Sequence, residues 1–224
     1  MEISRAVLAG MIDHTLLKPE ATCQDIVGLC REAVDFGFKS VCINPSYIDL
    51  AHRELENAPV GICAVIGFPL GASDPAVKAA EAAAAVRAGA SEVDVVMNIG
   101  FFKSGLLGKT QADLTGVVSA AKSEKPEAVV KVILETCLLT NEEKVRACRV
   151  AVAAGADFVK TSTGFNKEGA LAADIKLLRQ SVGPRIGVKA SGGIRDLAKA
   201  LSMLEAGADR IGTSAGVAIV NELK

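Results

Sequence analysis

The chain has 224 residues, half of them hydrophobic, with 25 basic and 26 acidic residues and a formal net charge of −1. This length and composition fit one sizeable core, so we expect a single domain over residues 1–224. The balanced charge excludes a basic surface for nucleic acid, and no apolar run approaches the roughly 18 residues of a membrane span, so we expect a small-molecule partner.

Helices and short apolar strands alternate along the chain after a predicted N-terminal helix at residues 2–9. One unit recurs four times, namely a helical segment, a glycine and a strand, as in AVAAGADFVK at residues 151–160. The glycines that end these helices are Gly37, Gly89, Gly155 and Gly207. They lie 52, 66 and 52 residues apart, about twice the length of a βα unit, so each interval has room for one more unit. The eight predicted strands cover residues 11–15, 39–43, 61–66, 92–97, 129–134, 157–160, 185–189 and 209–212.

The predicted strands are continuous apolar runs, such as ICAVIGF and VVKVILE, rather than alternating ones. Such runs are typical of strands that are buried on both faces of a parallel sheet. An open doubly wound sheet would usually carry a G-x-G-x-x-G turn after its first strand, and the sequence has none there. We therefore predict an α/β fold, a (β/α)8 TIM barrel with a short extra N-terminal helix.

Six cysteines lie far apart in the sequence without a C-x-x-C pair, and only two histidines accompany them. This pattern argues against a structural metal site. Most of the cysteines lie in apolar segments, where a free thiol behaves as a small core residue. We therefore expect a reduced protein in the cytoplasm.

In a barrel of this kind, reactive residues lie where strands end and in the loops that follow. The polar residues predicted at these places are Asp13, Thr15, Cys42, Asn44, Asp94, Glu135, Lys160 and Lys189. A lysine at the end of an apolar strand is more often an ion-pair partner or a phosphate contact. Lys160 and Lys189 follow neighbouring strands, however, so their side chains can meet beside Asp94.

Two lysines in contact at a partly dry barrel mouth suit imine formation with a carbonyl substrate. Only the neutral amine is a nucleophile, and both burial and a neighbouring cation lower the pKa of a lysine. The residues alone do not decide which of Lys160 and Lys189 reacts. Asp94 lies in the apolar run EVDVVMN, where it either neutralises a lysine or moves a proton at carbon.

Two glycine-rich segments follow the seventh and eighth strands, KASGGIRD at residues 189–196 and RIGTSAG at residues 210–216. Backbone N–H groups at such turns bind anions, and barrels often hold phosphate after these two strands. The predicted phosphate-binding residues are Gly164, Gly192, Gly193, Gly212 and Ser214.

Five motifs together resemble the deoxyribose-phosphate aldolase family over nearly the whole chain. They are IDHTLL (12–17), EVDVVMNIG (92–100), FVKTSTGF (158–165), VKASGGIR (188–195) and GTSAG (212–216). The resemblance implies reversible cleavage of 2-deoxy-D-ribose 5-phosphate to D-glyceraldehyde 3-phosphate and acetaldehyde, in deoxyribonucleoside catabolism. It also implies a barrel that works without a metal or an organic cofactor.

The resemblance also implies a role for each matching residue. Lys160 would form the Schiff base, Lys189 would lower the pKa of that amine, and Asp94 would donate and accept protons. The substrate-binding positions would be Asp13, Thr15, Cys42, Thr161 and Thr163. The sequence departs from some members at Phe165, where they have a lysine near the phosphate, and at its last residues NELK, where they have a tyrosine that relays a proton. We expect a water held by Asp94 and Lys189 to relay that proton here.

Two other functions fit the same residues. A phosphosugar isomerase would use Asp94 as its base and the lysines as fixed charges. A non-catalytic phosphosugar-binding barrel would use the lysines as anion ligands. We expect a homodimer, since barrels of this size frequently pair.

Overall fold

The computed structural model describes residues 3–223, which form a closed barrel of eight parallel strands in chain order. The strands are β1 Ile12–Leu16, β2 Ser40–Ile43, β3 Gly61–Ile66, β4 Glu92–Val96, β5 Val129–Ile133, β6 Phe158–Lys160, β7 Gly187–Ser191 and β8 Arg210–Thr213. The predicted (β/α)8 barrel is therefore confirmed. Among the described residues, no helix has both the length and the apolar character needed to cross a membrane.

Ten helices surround the barrel within the described part of the chain. They are α1 Arg5–Ala9, α2 Cys23–Phe36, α3 Ile48–Glu54, α4 Pro75–Arg87, α5 Ile99–Lys103, α6 Leu107–Glu124, α7 Asn141–Ala153, α8 Ala172–Val182, α9 Leu197–Glu205 and α10 Gly216–Asn221. The predicted N-terminal helix at residues 2–9 is the shorter α1, and Glu2 lies outside the described residues.

The glycines that were predicted to end helices do so in the left-handed region of the backbone. Gly37 closes α2 with a φ of 70°, and Gly155 follows α7 with a φ of 89°. A residue with a Cβ is strained in this conformation, whereas glycine adopts it freely. Capping boxes at Thr22 and Thr140 begin α2 and α7. Local chemistry at both helix ends thus sets the alternation of helices and strands.

The strand β7 differs from its predicted position at residues 185–189, because a turn at residues 184–185 delays its start. Its observed span, Gly187–Ser191, places Lys189 inside the strand rather than after it. Asp13 and Cys42 likewise lie within β1 and β2. These side chains therefore occupy the barrel interior, below the loops where the sequence analysis expected the site.

The main apolar core lies between the strands and the surrounding helices and includes the fully buried Ile26, Leu114, Ile175 and Ile219. A second, much smaller apolar cluster comprises Leu17, Cys42, Cys63 and Val65, with Phe68 packed against it. The rest of the barrel interior carries several buried charged side chains. The stability of the fold comes mainly from the outer layer, which leaves the interior available for chemistry.

Candidate active site

Neighbouring strands bring the three predicted catalytic residues together. Lys160 on β6 and Lys189 on β7 are partners in the strand register. The Nζ atoms of both lysines donate to the same oxygen, Asp94 Oδ2, and each distance is 2.7 Å. The exposed fraction is 2% for Lys160 and 0% for Lys189 and Asp94. The two amines are thus neighbours, as the sequence predicts, but a carboxylate lies between them.

The charge state of Asp94 follows from this geometry. Burial would raise the pKa of its carboxyl, but Lys131, Lys160 and Lys189 hold that pKa well below its usual range. Asp94 is therefore ionised at neutral pH. It can hold ammonium groups and waters in place, but it donates no proton of its own in this state.

Asp13 lies beneath the cavity and contacts Lys189 rather than the cavity surface. Its Oδ2 atom is 2.5 Å from Lys189 Nζ. Burial would lower the pKa of Lys189, but the attraction of Asp13 and Asp94 outweighs burial and raises it. Lys189 is therefore an ammonium at neutral pH and a fixed cation beside Lys160.

A cavity of about 370 Å³ opens above Lys160, at the carboxyl ends of the strands. Eight of the predicted site residues line it, namely Thr15, Lys160, Thr163, Gly164, Gly192, Gly193, Gly212 and Ser214. The predicted residues that do not line it are Asp13, Cys42, Asp94, Thr161 and Lys189. Of the charged residues predicted for the site, Lys160 lines the cavity, whereas Asp13, Asp94 and Lys189 do not.

Three of the predicted phosphate-binding glycines have positive φ angles, 85° at Gly164, 85° at Gly192 and 71° at Gly193. This conformation turns the backbone sharply beside the cavity. Gly212 has a different role in the structure, because a Cβ atom there would lie 2.9 Å from Lys189 Cε. The missing side chain at Gly212 makes room for the side chain of Lys189.

Comparisons with known proteins agree with this geometry. A model of the DeoC/LacD family of aldolases matches residues 7–222. The chain belongs to this aldolase family. Deoxyribose-phosphate aldolases from Carboxydothermus hydrogenoformans and Lysinibacillus sphaericus are 55% and 59% identical to it, over 99% and 96% of this chain and 97% and 95% of theirs.

Solved structures of aldolases have the same fold. The aldolase QR15 superposes with a TM-score of 0.90 at 44% identity, covering 96% of this chain and 95% of its own. The tetrameric deoxyribose phosphate aldolase from Aeropyrum pernix has a TM-score of 0.91 at 40% identity, covering 98% of this chain and 92% of its own. The barrel thus has the fold of these aldolases.

The threonines of the KTSTG motif in this aldolase support the loops around the cavity. Thr161 is fully buried, and its hydroxyl donates to the carbonyl oxygen of Ser191 at 3.1 Å. The Thr163 hydroxyl donates to Glu135 Oε2 at 2.5 Å, and its backbone N–H donates to Glu135 Oε1 at 3.3 Å. Of the two, Thr163 lines the cavity, whereas Thr161 ties the end of β6 to β7.

Cys42 and Cys63 pair across β2 and β3 beneath Asp94. The Cys42 Sγ atom is 4.0 Å from Asp94 Oδ2, and the Cys63 Sγ atom is 3.1 Å from Asp94 Oδ1. A hydrogen bond from Cys63 lowers the pKa of the Cys42 thiol to about 7, whereas burial raises that of Cys63. The sulfur and carboxylate atoms lie close enough to hold a metal ion. Because three lysines already contact Asp94, we assign no metal to this site.

Sequence reasoning missed three buried charged residues, Glu92, Lys131 and Arg210. Lys131 is 0% exposed, and its Nζ atom donates to Asp94 Oδ1 at 2.9 Å. Lys131 interrupts an apolar strand, as Asp94 does, so the same signal was present in the sequence, whereas Glu92 and Arg210 are the first residues of β4 and β8. Sequence reasoning also missed two exposed cations on the cavity wall, Lys18 and Arg195.

Proposed function

We propose that this chain catalyses the reversible aldol cleavage of 2-deoxy-D-ribose 5-phosphate to D-glyceraldehyde 3-phosphate and acetaldehyde, with Lys160 as the Schiff-base lysine. The observation that carries the proposal is the position of Lys160. It is the one predicted catalytic side chain that lines the cavity, and its Nζ atom lies 2.7 Å from Asp94. A substrate in the cavity meets this amine before it meets Lys189.

The first step joins the neutral Lys160 amine to the aldehyde carbon of the open-chain sugar. The nitrogen forms a bond to that carbon, the carbonyl oxygen takes up protons and leaves as water, and a protonated imine results. Lys189 remains an ammonium throughout, because Asp13 and Asp94 both hold it in that form. Lys160 and Lys189 therefore have different roles, which the residues alone did not assign.

The second step breaks the bond between the second and third carbons of the sugar. A base removes the proton from the hydroxyl group on the third carbon, and the electron pair of the broken bond moves into the imine to give an enamine. D-glyceraldehyde 3-phosphate leaves. Protonation of the enamine at carbon and hydrolysis of the imine then release acetaldehyde and free Lys160. We assign these proton transfers to a water held by Asp94 and Lys189.

The sugar phosphate would extend from Lys160 towards the glycine turns. Gly164, Gly192, Gly193 and Ser214 offer backbone N–H groups there, and Lys18 and Arg195 add positive charge. Phe165, which is 52% exposed, packs edge-on against Phe68 at a centroid distance of 5.2 Å and supplies no charge. We propose no metal or organic cofactor, a homodimer, and a role in deoxyribonucleoside catabolism in the cytoplasm.

Reductive trapping tests the reaction class and the residue together. Acetaldehyde and borohydride should add the mass of an ethyl group to the peptide that contains Lys160, because reduction fixes the imine as a secondary amine. The Lys160→Met variant is the matched control and should take up no label at the site. Label on Lys189 would overturn the role assignment. No label on either lysine, with sugar phosphate still bound, would favour an isomerase or a binding protein.

A further inference from the structure

Six buried side chains form a closed ring of alternating charge across the barrel interior, and we call them the charge ring. In order around the ring they are Arg210, Asp13, Lys189, Asp94, Lys131 and Glu92. They come from β8, β1, β7, β4, β5 and β4. None is more than 7% exposed. Each member touches its two neighbours of opposite charge in the ring. One longer contact crosses the ring, from Lys131 Nζ to Asp13 Oδ2 at 4.0 Å.

Two lysines join the three carboxylates of the charge ring. Lys189 Nζ is 2.5 Å from Asp13 Oδ2 and 2.7 Å from Asp94 Oδ2. Lys131 Nζ is 2.9 Å from Asp94 Oδ1 and 2.5 Å from Glu92 Oε2. Both oxygens of Asp94 are thus already in contact with a ring lysine before Lys160 is considered.

Arg210 closes the ring on the far side from Lys160. Its Nη2 atom donates to Glu92 Oε2 at 3.0 Å, and its Nε atom donates to Asp13 Oδ1 at 2.9 Å. Burial would lower the pKa of Arg210, but Asp13 and Glu92 raise it, so this charge is permanent. Neither Arg210 nor Glu92 lines the cavity above Lys160.

The charge ring contains three cations and three carboxylates, so it is electrically neutral without Lys160. Lys160 is a seventh charged group, and its Nζ atom contacts Asp94 Oδ2, an oxygen that Lys189 also contacts at the same 2.7 Å. Among the described residues, the carboxylate that Lys160 contacts is Asp94, and Asp94 is already paired with Lys189 and Lys131. A buried charge without its own partner is costly, so protonation of Lys160 gives the interior a charge that nothing balances.

We infer that the neutrality of the whole charge ring, rather than Lys189 alone, keeps Lys160 available as a neutral amine, and that Glu92 and Arg210 are positioning residues which act through the ring. The inference rests on the proposed function, since it concerns the amine that forms the imine. The ring replaces a simple repulsion between two lysines with a balance of seven charges. Any change of net charge in the ring should then alter the pH at which Lys160 reacts.

Other titratable groups face Lys160 and must be separated from the ring in a test. The thiols of Cys42 on β2 and Cys63 on β3 both contact Asp94, and Cys42 approaches the same oxygen as Lys160. Glu135, after β5, is engaged by Thr163. Lys18 and Arg195 line the cavity and are exposed to solvent, where their charges are screened. Cys42 is the group to control, because its thiol can ionise near neutral pH.

The test measures the rate of reductive trapping of acetaldehyde on Lys160 as a function of pH, with cyanoborohydride as the reductant and peptide mass as the readout. Glu92→Gln leaves the ring with one extra positive charge, so the acid limb of the profile should move down by about one pH unit. Arg210→Met leaves one extra negative charge, so the limb should move up by about one unit. The double variant restores neutrality and should return the limb to its wild-type position.

A purely structural role for these residues makes a different prediction. It would lower the trapping rate in both single variants, and most of all in the double variant, without moving the acid limb in opposite directions. That result would overturn the inference. Arg210→Lys keeps the charge and should leave the acid limb in place. Each profile is repeated in a Cys42→Ala background, so that ionisation of the Cys42 thiol cannot cause the shift. If Arg210→Met does not fold, comparison of Glu92→Gln with the double variant still shows in which direction the acid limb moves. Absence of label on wild-type Lys160 would instead contradict the proposed function.

Discussion

Two fully or almost fully buried lysines in different layers of the molecule have opposite relations to their carboxylates. Lys78 lies on α4 in the outer layer and donates to Asp113 on α6 at 2.6 Å. Lys160 lies in the barrel interior and shares Asp94 Oδ2 with Lys189. Lys78 is 0% exposed and Lys160 is 2% exposed, so the degree of burial does not distinguish them. The difference is that Lys78 has a carboxylate of its own.

Lys144 on α7 repeats the arrangement of Lys78, because it donates to Asp174 on α8 at 2.6 Å. These one-to-one pairs join helices that are neighbours around the barrel. A buried pair of this kind contributes little net stability, but removal of one partner leaves an unpaired charge. Lys78 and Lys144 thus each have a carboxylate of their own, whereas the lysine that we propose to react shares its carboxylate with ring lysines that are already paired.

The largest effect on catalysis is expected when the residue at position 160 can no longer lose its positive charge. Lys160→Arg should lower kcat for sugar phosphate cleavage by roughly three orders of magnitude or more, because a guanidinium stays protonated and forms no imine. Steady-state kinetics with a coupled assay for D-glyceraldehyde 3-phosphate measures the loss. The circular dichroism spectrum should stay that of the wild type, and substantial residual turnover would contradict the Schiff-base mechanism.

The sequence was sufficient to predict the barrel and to predict that Lys160, Lys189 and Asp94 lie together, for reasons that can be traced to particular residues. Gly37 and Gly155 marked where helices end, and unbroken apolar runs such as ICAVI marked strands buried on both faces. A charged residue within an apolar strand, such as Asp94, or at its end, such as Lys160, marked the candidate site residues. These features are local, so the sequence displays them directly.

The charge ring could not be predicted in the same way, because it depends on how the barrel closes. Arg210 meets Asp13 only because β8 pairs with β1, and their positions differ by 197 residues. Lys131 lies opposite Asp94 in the register of β4 and β5. Sequence reasoning looked for reactive groups at strand ends, whereas these residues lie deeper within the strands. The register, not the pattern of each strand, decides which charges touch.

A fully paired lysine should be important for stability and unimportant for catalysis. Lys78→Met leaves Asp113 buried without its cation and should lower the free energy of unfolding by about 3–5 kcal/mol, as expected for a broken buried pair. Urea denaturation followed by circular dichroism measures the change. Below the unfolding transition, kcat/KM and the label on Lys160 should match the wild type.

The control for this prediction replaces both members of the pair. Lys78→Met combined with Asp113→Leu should recover most of the lost stability, since no unpaired charge remains in the apolar layer. Burial raises the pKa of Asp113, in opposition to Lys78, so the lone carboxyl of Lys78→Met can also take up a proton to escape its charge. A large loss of kcat in Lys78→Met would show that outer pairs and the charge ring are not separate.

The smallest effect is expected from a third kind of lysine, one that is exposed and belongs to the cavity wall. Lys18 lines the cavity beside Gly193 and Ser214, where the phosphate is proposed to bind. Lys18→Met should raise KM for 2-deoxy-D-ribose 5-phosphate roughly fivefold, because an exposed charge contact contributes about 1 kcal/mol. The KM for unphosphorylated 2-deoxyribose should not change, and Lys125→Met, at an exposed ion pair with Glu127, is the matched control.

Equal effects on both sugars would mean that Lys18 shapes the cavity rather than attracts phosphate. The rise in KM should become smaller in high salt, because salt screens an exposed charge such as that of Lys18 more than it screens the buried charges around Lys160.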